Sequence, residues 1–308
     1  MKRIVHKTYR LKRFIKDDIW TLELEELSRA KAQFVKYLKV MMITIRTFSA
    51  QKIGFQAVAL SFFSTMSVVP FMAIAFAVTD GFGLADKLKE FLYGYFDNSQ
   101  EIIDMVLGFA QNIIDTAQTS AMGLVSALLF VWIVIWMMLS VERVFNNVWK
   151  VQKSRNLIKR LTVIIAMLFL SPFIMIVFFA GSFVYSHLLE YAGLDVEELT
   201  VFKTILTWLL FGAVATFTFS AMYKFIPNAD VKYGKALRAS VPAAIAFTLI
   251  QYMYLETQVF VTRLNAIYGA FAAVPLFMIW LNIGWYVILI GAELSYAFQH
   301  VDNYNIED

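Results

Sequence analysis

Long continuous runs of hydrophobic residues, separated by shorter polar segments, dominate this chain. A bilayer core about 30 Å thick needs a helix of roughly 20 apolar residues, and six runs are long enough. Strands are excluded because the runs do not alternate and because lipid would leave strand edges without hydrogen-bond partners. The pattern predicts an all-α membrane protein with spans at Ala57–Val78, Ala121–Val141, Leu161–Ser186, Thr204–Ile226, Ala239–Phe260 and Phe271–Phe298.

The basic residues are distributed unevenly between these spans. Of the 27 Lys and Arg residues, 23 lie in alternate segments that include the N-terminal one, and 4 lie in the segments between them. Basic residues are retained on the cytoplasmic side of a membrane. The distribution therefore predicts that both termini are cytoplasmic and that residues 299–308 form a short cytoplasmic tail.

The polar segments at residues 1–52 and 80–120 have helical periodicity of their own. No apolar core follows the basic residues of Met1–Lys16, so we expect no signal peptide there. In the first segment an apolar stripe is formed by Phe34, Leu38, Met41, Met42 and Ile45, which is typical of a helix lying on anionic lipid or of one packed on the protein. The second segment predicts two amphipathic helices on the outer face, which either cap a cavity or re-enter the membrane.

Composition excludes several classes of function. Of 308 residues, 60% are hydrophobic, 16% are charged and none is cysteine, and the mean hydropathy is +0.65. Disulfides, thiolate metal sites and cysteine nucleophiles are therefore excluded, and the three histidines lie far apart in the sequence. A phosphate-binding loop of the GxxxxGK type is absent as well. We expect no metal, no cofactor and no ATP hydrolysis by this chain.

Uncharged polar residues fall near the middle of several predicted spans. Ser64, Gln251 and Asn282 are candidates for lining a water-filled cavity, since an amide in hydrocarbon needs polar partners. The alternative is that these side chains bond each other or a backbone group and only join the helices. Ala243 and Ala244 suit either internal packing or homo-oligomer formation.

Charged residues lie near the span ends rather than at the midplane. A candidate inner polar cluster comprises Glu142, Arg143, Asn146 and Glu293, with Arg143 as a basic partner for the acids. Ionisable groups in membrane spans are functional candidates, and the alternative is a structural ion pair. Glu256 and Arg263, seven residues apart on one helix face, form a candidate outer gate or an interfacial pair.

Three segments carry a resemblance to a known family. They are Ala57–Pro70 in the first span, Glu142–Trp149 after the second, and a closing segment with Tyr268-Gly269, Pro275 and Gly291–Leu294. Together they resemble the YihY/BrkB family of bacterial membrane proteins, which implies six spans with both termini inside. The family's old ribonuclease label finds no support here, because RNA hydrolysis needs an acid–base pair or a metal cluster in an aqueous site. We expect no catalytic residues and no nucleic-acid partner.

These observations favour a transporter or exporter of an unidentified small solute in the bacterial inner membrane, without its own ATPase. The alternative is a membrane scaffold or envelope-assembly factor whose polar residues only join helices. A transporter requires water to reach the midplane residues in at least one state, whereas a scaffold does not.

Overall fold

A computed structural model describes residues 19–21, 28–83, 121–153, 200–268 and 273–304, with separate positions between 86 and 116 and between 155 and 169. Every regular element among these residues is helical. A single helical turn is formed by Ile19–Thr21. The long helices are α1 (Arg29–Ala50), α2 (Ile53–Gly81), α3 (Ala121–Val148), α4 (Thr200–Phe225), α5 (Tyr233–Tyr268) and α6 (Ala273–His300).

Five of these helices, α2 to α6, are long and apolar enough to cross a membrane. They correspond to the first, second, fourth, fifth and sixth predicted spans, so the all-α prediction is confirmed for the described residues. The third predicted span, Leu161–Ser186, lies mostly outside those residues, and its described positions up to Phe169 are helical.

The helices extend beyond the predicted spans, most clearly at three ends that carry polar residues at the basic side of the molecule. The helix α2 begins at Ile53, α3 continues to Val148 and α5 begins at Tyr233. Hydropathy detects only the part of a helix that lies in hydrocarbon, so it missed these polar ends.

The central helix is α6, which contacts α1, α2, α3, α4 and α5. Close approach of α4, α5 and α6 depends on small side chains. A Cβ atom added at Gly291 of α6 would lie 2.0 Å from the hydroxyl of Tyr223 and 2.7 Å from the Cβ of Ala243. Both Ala243 and Ala244 are buried in this core, which supports internal packing as their role.

The buried core is concentrated at one end of the helices. It is formed by the starts of α2 and α5 and by the ends of α3, α4 and α6, with members such as Leu60, Phe145 and Leu289. The helix termini at this end, together with α1 and the connecting residues, include most of the described Lys and Arg residues. We call these helix termini, together with α1 and residues 149–160, 226–232 and 301–304, the basic end.

Large apolar side chains face outward along the spanning helices. On α3 they include Leu128 and Trp132, and on α5 they include Ile245, Leu249 and Met253. An exposed apolar surface of this extent is unusual on a soluble protein. We conclude that these faces contact lipid.

The helix α1 packs against α6 at the basic end through Val40 and Ile43. The apolar stripe predicted from the sequence is on another face, where Phe34, Met41 and Ile45 are exposed. The helix α1 therefore packs on the protein with one face and exposes an apolar stripe on another.

The described positions between 86 and 116 are helical. The hydroxyl of Tyr93 donates a hydrogen bond to the carboxylate of Asp104, which joins the two amphipathic helices predicted for this segment. Whether the segment caps the membrane domain or enters the bilayer stays a prediction.

Candidate functional site

Two buried carboxyl groups mark the basic end, and the first is that of Glu142 near the end of α3. Its Oε2 atom accepts a hydrogen bond of 2.6 Å from Nε of Arg160. From the sequence, Arg143 was expected as a basic partner of Glu142, but Arg143 is exposed. Arg160 was missed because it lies 18 positions further along the chain, where no helical spacing relates it to Glu142.

The second carboxyl group is that of Glu293 in the last third of α6. The residue is 0% exposed, and neither carboxylate oxygen has a hydrogen-bond partner among the described residues. An ionised carboxylate that is buried without a partner costs several kcal/mol. The ammonium group of Lys150 attracts the carboxyl group of Glu293 electrostatically.

Lys150 occupies a backbone position that normally favours glycine. Its φ is 51°, and α3 ends in a Schellman motif in which the N–H of Val151 donates to the carbonyl of Asn146 and the N–H of Lys150 to that of Asn147. Glycine is preferred at this position of the motif, and the left-handed conformation costs other residues about 1–2 kcal/mol. The lysine side chain is therefore present despite a backbone cost.

Two aromatic rings lie near the ammonium group of Lys150, which is an exposed residue. The Nζ atom of Lys150 lies 5.7 Å from the ring centre of Tyr296 and 6.0 Å from that of Tyr304. Trp149 contacts Tyr296 edge-on at 5.6 Å. These distances are at the outer limit of a cation–π interaction.

Side-chain hydrogen bonds join the loops of the basic end. Asn146 accepts a bond of 2.7 Å from the backbone N–H of Asn228, and Arg155 donates to the carbonyls of Phe225 and Pro227 at 2.9 Å each. Gln299 of α6 accepts from the N–H of Lys232 and donates to a carbonyl of the same loop. Of these donors and acceptors, only Asn146 was a candidate residue from the sequence.

The three candidate cavity residues have different surroundings. The hydroxyl of Ser64 on α2 accepts a hydrogen bond of 2.9 Å from the indole N–H of Trp285 on α6. Gln251 is buried on α5, and the Nδ2 atom of Asn282 on α6 has no partner among the described residues. Glu256 and Arg263 lie on α5, but their side chains are outside the described residues, so the outer gate stays a prediction.

Residues 44–308 match the family model described as virulence factor BrkB. The chain belongs to this family. The resemblance found from the three sequence segments is thereby confirmed, and the protein is an integral membrane protein.

Similar proteins are described as UPF0761 membrane proteins. That of Legionella pneumophila strain Corby is 28% identical over 276 residues, which are 88% of this chain and 64% of the relative. That of Chlorobium limicola is 29% identical over 298 residues, which are 95% of this chain and 66% of the relative. The chain spans less than two thirds of the length of these relatives. No solved structure matches it.

The BrkB match begins inside α1. It therefore includes every candidate residue named above at the basic end, from the last turns of α1 to Tyr304. The first 43 residues lie outside the match.

Proposed function

We propose that this BrkB-family protein moves a small solute across the bacterial cytoplasmic membrane, without nucleotide hydrolysis or other catalysis of its own. In this proposal the basic end faces the cytoplasm. The uneven distribution of 23 and 4 basic residues between alternate segments supports this orientation.

The observation that carries the transport proposal is the buried carboxyl group of Glu293. Ionisable groups inside membrane helices are costly and commonly serve ion or proton pathways. Glu293 is fully buried on the central helix and lacks a hydrogen-bond partner among the described residues. A purely structural acid would be expected to have a partner, as Glu142 has in Arg160. We therefore propose that Glu293 couples transport to the movement of an ion or a proton.

The test measures water access along α5 and α6. Because the chain has no cysteine, single cysteines at Gln251 and Asn282 can be labelled with a membrane-impermeant maleimide in oriented vesicles. We expect labelling at Asn282 from at least one side, and a changed rate when Glu293→Gln is added, because loss of the titratable group shifts the balance between open and closed states.

Two control positions calibrate this measurement. A cysteine at Gln152, exposed in the loop after α3, should be labelled rapidly, and one at Leu128, on the outward apolar face of α3, should not. If Gln152→Cys is labelled while Gln251→Cys and Asn282→Cys are inert from both sides, the transport proposal is wrong.

A scaffold is the second candidate, and one observation favours it. The hydroxyl of Ser64, selected from the sequence as cavity-lining, is bonded to Trp285 and thereby joins α2 to α6. The hydrogen bonds among the basic-end loops have the same joining role. Inert midplane cysteines with normal folding would make the scaffold the leading function.

A further inference from the structure

A cavity of about 220 Å³ opens at the basic end, beside the turn between α1 and α2. It is lined by Arg46, Thr47, Ala50, Gln51, Lys150 and Tyr304. Two of these six residues are cations and none is acidic. We propose that this cavity binds the phosphate head group of an anionic membrane lipid. The proposal does not depend on the transport function.

The position of Lys150 is the first argument for a bound anion. Its backbone conformation favours glycine, and the side chain is nevertheless a long cation that reaches the cavity. Strained backbone positions are concentrated at functional sites. A requirement for the ammonium group at this point accounts for a lysine where glycine would fit the turn better.

The chemistry of the lining is the second argument. A guanidinium group forms paired hydrogen bonds with phosphate oxygens, and a lysine ammonium adds a point charge. Gln51 also lines the cavity, and its Oε1 atom is buried without a hydrogen-bond partner among the described residues. Head groups that carry hydroxyl groups, such as glycerol, would supply a donor to this oxygen.

The location favours a lipid over a free ion. Arg46 directly follows Ile45, which belongs to the exposed apolar stripe of α1, and Phe55 at the start of α2 is also exposed. Exposed apolar side chains next to this turn in the chain indicate that the turn lies at the level where acyl chains meet head groups. Basic pockets in this position are suited to anionic lipid head groups.

The experiment measures lipid binding to the full-length chain in detergent. Native mass spectrometry would compare phosphatidylglycerol with phosphatidylcholine of the same acyl chains, and inorganic phosphate would be titrated in parallel. We expect a preference for phosphatidylglycerol, and we expect Lys150→Gly and Arg46→Gln each to weaken its binding about tenfold, the effect of losing one hydrogen bond to a charged group.

Lys52 provides a matched control. It is also a lysine at a helix end with positive φ, in this case 52°, but it does not line the cavity. Lys52→Gly removes the same charge and relieves the same backbone strain, but we expect binding within about twofold of wild type, because Lys52 does not line the cavity and its charge acts there only through salt-screened solvent. Both glycine variants should unfold at or above the wild-type temperature, which separates loss of binding from loss of folding.

Three results would overturn the proposal. The first is an unchanged affinity for phosphatidylglycerol in Lys150→Gly. The second is an equal loss of affinity in Lys52→Gly, which would indicate that general surface charge attracts the lipid. The third is Lys150-dependent binding of inorganic phosphate with no preference between the two lipids. That result would retain an anion site but exclude a lipid as its occupant.

Discussion

Single residues set how closely the helices approach, and Gly291 is the clearest case. A Cβ atom there would lie 2.0 Å from the Tyr223 hydroxyl, so Gly291→Ala must push α4 away from α6. We expect the free energy of unfolding in detergent to fall by about 1–3 kcal/mol, the usual cost of overpacking. Thermal or denaturant unfolding followed by circular dichroism would measure this.

Gly212 on α4 is the matched control, because its added Cβ would meet only the Thr248 hydroxyl oxygen at 3.6 Å. Gly212→Ala should leave stability unchanged or raise it by up to about 1 kcal/mol through helix propensity. Adding Tyr223→Phe to Gly291→Ala should restore part of the loss, because it removes the nearest clashing atom. Equal stability of the two alanine variants would contradict the observed packing.

The ion pair between Glu142 and Arg160 gives a second prediction at this scale. Arg160→Met leaves a buried carboxylate without its partner and should destabilise the protein by about 2–3 kcal/mol. Breaking a fully buried ion pair would cost more, because Arg160 is partly solvated here. Arg143→Met, the same substitution at an exposed arginine, should change stability by under about 0.5 kcal/mol. Unfolding curves of the two variants distinguish the partners, and a reversed order would favour the pairing predicted from sequence.

Polar residues of the basic end were identifiable from sequence, but their partners were not. Glu142, Asn146 and Glu293 stand out because polar groups near apolar runs are rare. Arg155 and Arg160 look like ordinary residues of a basic segment, and Gln299 looks like an ordinary polar residue at a helix end. Their roles depend on which loops meet in space, and the local pattern contains no information about that.

At the scale of elements, α1 shows where periodicity reaches its limit. The helix has two apolar faces, and the spacing that identifies one does not say which packs on the protein. The face against α6 also buries Lys39, where burial lowers the pKa of the ammonium group and the nearby Asp302 opposes that effect. A charged residue on the packed face is the reason that the sequence pattern pointed to the other one.

The exposed stripe of α1 predicts contact with lipid. Nitroxide labels at Phe34→Cys and Ile45→Cys should be more accessible to oxygen, which concentrates in the bilayer, than to a water-soluble nickel complex. Gln33→Cys is the control, because this exposed residue lies about 100° around the helix from Phe34. Equal nickel accessibility at Phe34 and Gln33 would show that the stripe faces water.

At the scale of the whole molecule, hydropathy predicted the spans but not their arrangement. The order of helices around α6 was not accessible, because side chains that face lipid and side chains that pack on a helix are equally apolar. The arrangement now constrains the topology. The rings of Phe145 and Tyr223 lie 6.3 Å apart, so α3 and α4 both end at the basic end, and α4 begins at the opposite end.

We therefore predict one membrane crossing between residues 149 and 200, and the sequence assigns this crossing to Leu161–Ser186. Single cysteines test it by sidedness of labelling. Gln152→Cys and Asn303→Cys should react from one side, while Asp86→Cys and Glu197→Cys should react from the other. The comparison of Glu197 with Gln152 is decisive, because only a crossing between them separates their sides. Reaction of Gln152→Cys and Glu197→Cys from the same side would contradict the six-span topology. Reaction of Gln152→Cys and Asn303→Cys from the cytoplasmic side would also establish the orientation that positive charge favours.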